Sequence, residues 1–252
     1  MRFTIMIPTR KRQYMLKDLL QSIYNTATEK YEVETLITYD NDDQNTIDAL
    51  PSLKTTTKNY PVKFFSRERH YATSGVYYNE MAEKATGDFV IAVNDDTIFT
   101  KNHWDELGYK KLEEYMIGRP DRIVYGITND FEVEHHRNEN NYFSCFPLLS
   151  KETVKVMGFF FDPIFAKDGA DWDLVMTYRE LRRVVDLRNE IEIQHISFRS
   201  GRRPLDLLDS DQMIIPGDAH PFAGKNMKRN FNFLTDYISN YKENGENIKR
   251  PW

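Results

Sequence analysis

Cysteine is almost absent from this sequence of 252 residues, because Cys145 is the only one. A single thiol forms no intrachain disulfide and provides no cysteine-based zinc site. Long apolar runs are also missing, and none approaches the roughly 20 residues that span a bilayer. The apolar start, Met1 to Pro8, is too short for a secretory signal. We therefore expect a soluble, cytoplasmic protein without an integral membrane segment.

A strong excess of either charge is missing as well. The chain has 34 Lys+Arg and 39 Asp+Glu, for a net charge of −5, which argues against a surface shaped throughout for nucleic acid. The segment from Arg199 to Trp252 differs, with 9 basic and 7 acidic residues, so that it carries +2 and the preceding part −7. This tail could therefore contact an anionic partner.

Hydrophobic residues make up 40% of the chain and aromatic residues 13%, which is enough for a substantial core. Apolar runs typical of strands alternate with segments of helical periodicity. The predicted strands are Arg2 to Ile7, Val33 to Tyr39, Val62 to Phe65, Phe89 to Val93 and Ile191 to Ile196, with β-like pieces at Ile123 to Gly126 and Tyr142 to Leu149. The predicted helices include Leu16 to Tyr24, Gly75 to Ala85, Trp104 to Met116, Lys151 to Met157, Asp171 to Arg183 and Asn230 to Tyr241. This alternation predicts an α/β fold with a mostly parallel central sheet flanked by helices.

Polar segments follow three of the predicted strands: Pro8 to Arg10, Asp40 to Asp43 and Asn94 to Asp96. Ligands of open α/β sheets bind beyond the carboxyl ends of the strands. We therefore expect these three segments to line one crevice.

Carboxylates follow the buried strand Phe89 to Val93 directly, in the run Asn94-Asp95-Asp96-Thr97. Oxygen ligands placed in this way suit Mg²⁺ or Mn²⁺, whose remaining ligands are often phosphate oxygens. The alternative is an ordinary turn, since Asn and Asp are good turn formers.

The order of motifs resembles that of family 2 glycosyltransferases and their relatives with the Rossmann-like GT-A fold. The matching segments are Ile7-Pro8-Thr9-Arg10, the acidic end of the second strand, Gly75 and Asn79 before Ala85-Thr86-Gly87-Asp88, Asn94-Asp95-Asp96-Thr97, Gly158-Phe159-Phe160, Asp162, Phe165 and Asp171-Trp172-Asp173-Leu174. The resemblance covers roughly residues 1–196, and the ordered succession is more specific than any single motif. It implies transfer of a sugar from a nucleoside-diphosphate donor to an acceptor hydroxyl, with inversion.

The resemblance also implies roles for particular residues at the metal. Asp96 is expected to bind Mn²⁺ or Mg²⁺, while Asn94 stands where many members have the first Asp of an Asp-x-Asp motif. A later histidine often completes the site in such enzymes, and His195 is suitably placed; a hydrogen-bonded structural histidine is the alternative.

The nucleotide is expected to contact the carboxyl ends of the strands. Asp40 or Asp42 would accept a hydrogen bond from the base, which favours a UDP-sugar, although both could belong to a solvated turn. The guanidinium groups of Arg199, Arg202 and Arg203 could bind the diphosphate. Alternatively, these three residues could simply lie in a solvated basic loop. The complete predicted set for the nucleotide sugar is Pro8, Thr9, Arg10, Asp40, Asp42, Gly75, Asn94, Asp95, Arg199 and Arg202.

Asp171 is the predicted general base for the acceptor, because it matches the Asp of the family's Glu-Asp motif. The Glu position is Ala170 here, and Asp173 is expected to face elsewhere on the helix. Asp168 and Asp171 could instead cap that helix. Trp172 could stack on an acceptor sugar or fill the core.

Two parts of the chain are predicted. Residues 1–198 would form the catalytic domain, and residues 199–252 an irregular extension packed on it, in which the loop Gly201 to Arg229 could close over the site or help to bind the acceptor.

Other functions stay open. The acceptor could be a hydroxylated base in DNA rather than a carbohydrate, because Phe222, Phe231, Phe233 and Trp252 accompany Lys225, Lys228 and Arg229. The chain could also be a sugar-nucleotide or glycan binding module that has lost catalysis, given Asn94 and Ala170. A sugar nucleotidyltransferase is disfavoured, since the Gly-rich, Lys-containing loop of those enzymes is absent between Ile7 and Met15.

Overall fold

The structure is a computed structural model that describes residues 2–130, 143–166, 169–196, 201–202 and 223–244. The strands are β1 (Phe3–Thr9), β2 (Val33–Asp40), β3 (Val62–Arg67), β4 (Phe89–Ala92), β5 (Thr97–Phe99), β6 (Tyr125–Ile127), β7 (Leu148–Ser150), β8 (Val184–Asp186) and β9 (Ile193–His195). The α-helices are α1 (Gln13–Thr26), α2 (Gln44–Thr56), α3 (Asn79–Lys84), α4 (Trp104–Met116), α5 (Lys151–Met157), α6 (Ala170–Glu180) and α7 (Ala223–Asn244). A 3₁₀ turn, Lys30–Glu32, precedes β2, and a π-helical turn, Thr73–Tyr78, leads into α3.

Seven strands form the central sheet in the order β3-β2-β1-β4-β7-β6-β8. The neighbours of β1, β2 and β3 are parallel, as are β6 and β8, whereas β7 runs antiparallel to both of its neighbours. The predicted α/β class with a mostly parallel sheet is confirmed. Strands β5 and β9 form a separate antiparallel pair.

The core lies on both faces of the sheet. Along β1, Phe3, Ile5 and Ile7 enter one apolar cluster with α1 and α4, whereas Met6 enters the other with α3, α5, α6 and α7. Alternation with a period of two is what a strand covered on both sides requires. The central strands are therefore rigid supports for the residues that follow them.

Several element predictions were incomplete. Helix α2 was missed because its stripe of buried residues is short, with Leu53 the main apolar one, and because Pro51 lies inside it. Strands β5 and β8 were missed because three residues are too few to show a period. The β-like piece predicted from Tyr142 is confined to β7, and Tyr142 itself lies outside the described residues.

The C-terminal helix is longer than predicted. It begins at Ala223 rather than Asn230, so the end of the predicted loop Gly201 to Arg229 is helical; residues 203–222 lie outside the described part. Phe233, Leu234 and Tyr237 of α7 are buried in the same cluster as Leu174 and Tyr178 of α6. This burial fixes α7 against α6.

None of the helices in the described ranges is long and apolar enough to cross a membrane.

Candidate active site

The three polar segments that follow β1, β2 and β4 meet at one edge of the sheet, as predicted. Thr9 donates a hydrogen bond through Oγ1 to Asp95 Oδ2 at 2.9 Å, which joins the first segment to the third. Arg10 donates through Nη1 to Asp40 Oδ2 at 2.9 Å, which joins the first segment to the second. Parallel strands bring these ends together because their carboxyl ends share an edge.

Asp42 forms the exposed end of the second segment and pairs with Arg10 of the first segment. The Arg10 guanidinium reaches both oxygens of Asp42, at 2.5 Å and 3.0 Å, and this pairing lowers the pKa of the Asp42 carboxyl. Asp43 does not join them, because it caps α2 at Thr46 and accepts from the Lys11 amide. Asp42 therefore lies on the surface of the crevice, where its side chain is 52% exposed.

Asp40, in contrast, is buried and held on both sides. Its Oδ2 accepts from Arg10, and its Oδ1 accepts from the Tyr77 hydroxyl at 2.5 Å. Burial, followed by this bond to Asp40, raises the pKa of Tyr77. The Arg67 guanidinium lies 4.3 Å from the centroid of the Tyr77 ring. Asp40 therefore anchors the loop, whereas its predicted hydrogen bond to the base stays a prediction.

The π-helical turn places adjacent tyrosines on two different strand ends. Tyr77 contacts Asp40, whereas the Tyr78 hydroxyl is 3.0 Å from both the Val93 carbonyl and Asn94 Oδ1. Burial, with Asp95 and Asp96 nearby, raises the pKa of Tyr78 well above its ordinary value. The sequence predicted a regular helix from Gly75, and the wider turn was missed because π-helices have no periodicity of their own in a sequence. Such turns are frequent at functional sites.

Gly75 lies in that turn against another part of the chain. A Cβ at this position would be 2.7 Å from the Phe165 carbonyl oxygen and 3.0 Å from that of Pro163. Asn79 fastens the same two segments, because its amide bonds to the backbone of Phe160 and Phe161. The close approach at Gly75 is therefore one of protein backbone, and its contact with a nucleotide stays a prediction.

Asp95 and Asp96 are buried at the end of β4, and Arg12 pairs with both. Arg12 Nη1 is 3.2 Å from Asp95 Oδ1 and 3.3 Å from Asp96 Oδ2. Burial raises the pKa of Asp95 to about 6, although Arg12 favours the ionised form. Asn94 is exposed beside them. Sequence reasoning missed Arg12, even though the basic run Arg10-Lys11-Arg12 directly after β1 was a visible signal.

His195 reaches Asp96 through the small antiparallel pair β5 and β9. Thr97 lies opposite His195 in the register, and the Ile196 amide donates to the Asp96 carbonyl at 2.7 Å. His195 Nε2 is 3.1 Å from Asp96 Oδ1, and the ring packs edge-on against Phe146 with centroids 5.2 Å apart. The structure therefore brings together the two residues that the sequence predicted as metal ligands.

The chemistry of Asp96 and His195 fits a divalent cation. One carboxylate oxygen and one imidazole nitrogen suit Mn²⁺, and Mg²⁺ is commonly held by one or two carboxylates together with phosphate oxygens. Across the described ranges, no cluster of three or more His, Cys, Asp or Glu side chains is arranged to hold a metal. A cation at Asp96 would therefore need further ligands from its substrate or from water.

Arg202 lies beside this pair and donates from Nη1 to the His195 carbonyl at 2.8 Å. Arg199 and Arg203 lie outside the described residues, so that part of the predicted clamp is not placed. The other predicted contact, Pro8, is half-buried at the end of β1 opposite Thr38.

Asp171 and Trp172 occupy the first turn of α6. Asp171 is half-buried and accepts from the Trp172 amide at 2.9 Å, and its charge, after burial, contributes to a raised pKa of Tyr125 in β6. The Trp172 side chain is 38% exposed and lies 4.8 Å from the Phe143 ring. An accessible carboxylate therefore stands next to a partly open aromatic surface.

Asp173 faces away from Asp171, as predicted, and is buried beneath α7. Asn230 Nδ2 lies 3.2 Å from Asp173 Oδ2 and 3.2 Å from Asp162 Oδ2, and Arg229 also pairs with Asp162. Burial, and then the charge of Asp162, raises the pKa of Asp173 to about 7. The sequence suggested Arg229 and Phe233 as part of a DNA-binding surface. In the structure Arg229 pairs with Asp162 and Phe233 is buried, so both help to dock α7.

The family model described as glycosyl transferase family 2 matches residues 4–186, which is most of the chain. The chain belongs to glycosyl transferase family 2. That match spans the three strand ends, the Asp95–Asp96 pair and the first turn of α6. The chain is therefore a glycosyltransferase, and its fold is of the GT-A type.

Solved structures of this fold include several transferases. The crystal structure of S. aureus TarS 1-349 in complex with UDP-GlcNAc aligns at 15% identity and a TM-score of 0.58, covering 97% of this chain and 75% of TarS 1-349. The mannosyltransferase PcManGT from Pyrobaculum calidifontis, in complex with GDP-Man and Mn²⁺, aligns at 14% identity with a TM-score of 0.58, and the alignment covers 97% of this chain and 76% of PcManGT. GalNAc-T7, with UDP, GalNAc and Mn²⁺, aligns at 12% identity with a TM-score of 0.59, and the alignment covers 96% of this chain and 50% of GalNAc-T7. No curated protein matches the chain.

Proposed function

We propose that this family 2 glycosyltransferase moves a sugar from a nucleoside diphosphate to a hydroxyl of a carbohydrate or another small acceptor, with a divalent cation and with inversion. The observation that carries the proposal is the approach of His195 Nε2 to Asp96 Oδ1, at 3.1 Å, on the sheet edge that also presents Thr9 and Arg10. Nucleotides bind at this edge in open α/β sheets.

The fold relatives support the choice of donor and cation. TarS was solved with UDP-GlcNAc, and PcManGT and GalNAc-T7 with Mn²⁺ beside GDP-Man or UDP. Asp96 and His195 would hold the cation, which supplies positive charge to the oxygens of the diphosphate. Arg202, next to His195, would hold the diphosphate from another side.

The nucleotide would lie along the ends of β1 and β2. Pro8 and Thr9 would border it, and the exposed carboxylate of Asp42 would accept a hydrogen bond from the base. Asp40 is buried beneath it and bonded to Arg10 and Tyr77, so it supports this surface from below. An acceptor group at this place suits the N–H of uracil, which favours a UDP-sugar.

Transfer needs a base on the acceptor side, and Asp171 is our candidate. Its carboxylate would take the proton as the acceptor oxygen bonds to the anomeric carbon, while the bond to the diphosphate breaks and the electron pair leaves with the nucleotide. Trp172 would stack on the acceptor ring. A single displacement of this kind inverts the anomeric centre.

A panel of nucleotide sugars with Mn²⁺, read by thermal stabilisation, tests the donor. A ligand at a hundred times its dissociation constant stabilises the native state by about 2.7 kcal/mol, which raises the melting temperature measurably. We expect UDP-sugars to raise it more than GDP-sugars. A panel in which no nucleotide sugar raises the melting temperature would contradict the proposal.

The two alternatives predict different results. A binding module without catalysis would bind the donor without slow hydrolysis, so release of free sugar from the bound donor excludes it. An enzyme acting on DNA would bind duplexes in a salt-sensitive way. We favour the small acceptor because Arg229 and Phe233 are used to dock α7.

A further inference from the structure

Asn230 of α7 joins two other segments of the chain through one amide nitrogen. Its Nδ2 atom lies 3.2 Å from Asp162 Oδ2 and 3.2 Å from Asp173 Oδ2. A side-chain amide has two N–H donors, so one hydrogen is available for each carboxyl oxygen. Asn230, Asp162 and Asp173 are 2%, 4% and 3% exposed, which keeps this bridge away from competing water.

The bond to Asp173 fixes the first turn of α6. This helix starts after Gly169, which has a left-handed backbone and provides no side-chain cap. Asp173 Oδ1 is buried without a hydrogen-bond partner in the described part of the chain, so the hydrogen bond that ties this carboxyl to another element is the one from Asn230 to Oδ2. Asp171 and Trp172 belong to the same turn. Their positions therefore follow that of Asp173.

The bond to Asp162 fixes the segment that supports the donor side of the site. Asp162 also accepts from the Ile164 amide at 3.1 Å. The chain then reaches the π-helical turn, where a Cβ at Gly75 would be 2.7 Å from the Phe165 carbonyl oxygen. That turn bonds to the residues at the ends of β2 and β4. Asn230 is therefore connected both to the helix that carries Asp171 and to the segment behind the strand ends.

We propose that Asn230 is a positioning residue for transfer, which holds the first turn of α6 where Asp171 meets the acceptor hydroxyl. Helix α7 is then part of the support of the active site, although it supplies no group to the reaction. The effect on transfer rests on the proposed function of Asp171, whereas the placement of the turn by Asn230 does not. Placement matters because a displacement of about 1 Å can lower a rate by about a hundredfold.

Placement is measured by ¹⁹F nuclear magnetic resonance of the protein labelled with fluorotryptophan. The chain has three tryptophans, and each signal is assigned by replacing one of them with phenylalanine. We expect Asn230→Ala to shift or broaden the signal of Trp172. The signal of Trp104, which is fully buried in the core cluster on the other face of the sheet, should stay unchanged. Asn232→Ala, at an exposed position of the same helix, is the control and should change neither signal.

The effect on the reaction is measured as release of UDP from UDP-GlcNAc and UDP-glucose with Mn²⁺, with water as the acceptor. Asn230→Ala should lower this turnover by at least about tenfold, because the base is displaced, and should keep the thermal stabilisation by UDP and Mn²⁺. Asp173→Ala breaks the same bridge from α6 without leaving a carboxylate unpaired, and should give the same results. Asp173→Asn keeps an oxygen that accepts from Asn230 and should retain wild-type turnover.

Three results would overturn the proposal. The first is a Trp172 signal that stays in place when Asn230→Ala and Asp173→Ala are folded by circular dichroism. The second is turnover that falls only in proportion to a lower melting temperature, and the third is an equal loss in Asp173→Asn and Asp173→Ala. Failure of the proposed function looks different, because UDP with Mn²⁺ would not stabilise the wild type, or Asp171→Asn would keep full turnover, while the Trp172 signal would still respond to Asn230→Ala.

Discussion

Asp171 and Asp173 show how two carboxylates, two residues apart on one helix, acquire different tasks. Asp171 is half-buried at the first turn of α6, whereas Asp173 lies under α7. We predict that Asp171→Asn keeps donor affinity and lowers transfer by at least about a hundredfold, the usual scale of general-base catalysis. Turnover and donor affinity should be measured in the same preparation.

The matched control for Asp171→Asn is Glu180→Gln, at the exposed end of the same helix, which should leave both quantities unchanged. If transfer by Asp171→Asn fell only in proportion to a lower melting temperature, Asp171 would be structural.

Substitution of His195 tests the proposed metal site independently of Asp96. His195→Ala removes one of the two proposed protein ligands and leaves Asp96, so we predict that the Mn²⁺ concentration for half-maximal activity rises by about tenfold or more without loss of the maximal rate at saturation. An unchanged Mn²⁺ requirement would return His195 to a structural role against Phe146.

Single residues of the site could be predicted to different extents. Asp96 and His195, which the structure places 3.1 Å apart, were proposed as ligands because carboxylates and histidines at strand ends match a pattern of the resembling family. Arg12 and Tyr78 were missed, because the first acts through a contact across 84 positions and the second through a π-helical turn. The sequence separation of such contacts hides them from local patterns.

At the scale of elements, the docking of α7 on α6 buries a carboxylate with a raised pKa, that of Asp173. Asp173 has an ordinary pKa of 3.8, which the fold raises to about 7 through burial and the charge of Asp162. The folded state therefore holds a proton that the unfolded state loses between these values. The stability it contributes is complete below about pH 3.8 and is lost as the pH rises through 7.

Asp173→Asn removes this titration. We predict that the variant gains stability relative to the wild type at pH 8, by roughly 1–3 kcal/mol, with a flatter profile between pH 5 and 8. Urea unfolding at both pH values measures this, and Asp236→Asn, on the exposed side of α7, serves as the control. If the free energy of unfolding changed with pH equally in the variant and the wild type, Asp173 would be ionised in the folded state.

Elements were predictable where their periodicity was long. Strand β1 and helix α4 show enough alternating or helical positions to be recognised, and both are present. The start of α7 could not be predicted, because Gly224 and the neighbouring prolines favour a loop locally. The helix is stabilised instead by the burial of Phe233, Leu234 and Tyr237 against α6. Tertiary packing decided that boundary.

At the scale of the whole molecule, donor binding should require a metal. Asp96 and Asp95 would repel a diphosphate that arrived without one. We predict that excess chelator abolishes the thermal stabilisation by the nucleotide sugar, and that Asp96→Ala does so even with Mn²⁺ present. Undiminished thermal stabilisation in excess chelator would contradict this prediction. The control for Asp96→Ala is Asp88→Ala, at the opposite end of β4, which should keep the stabilisation by the nucleotide sugar.

The pairing of β5 with β9 carries a consequence for insertions and deletions. Only three residue pairs join these strands, and they set His195 opposite Thr97. Because side chains alternate along a strand, adding or removing one residue between Ile191 and His195 would turn the imidazole to the other face. The spacing of this short segment is therefore more tightly constrained than its composition. We expect variants that keep every residue type but change the number of residues by one to fold and to lose the proposed Mn²⁺ binding.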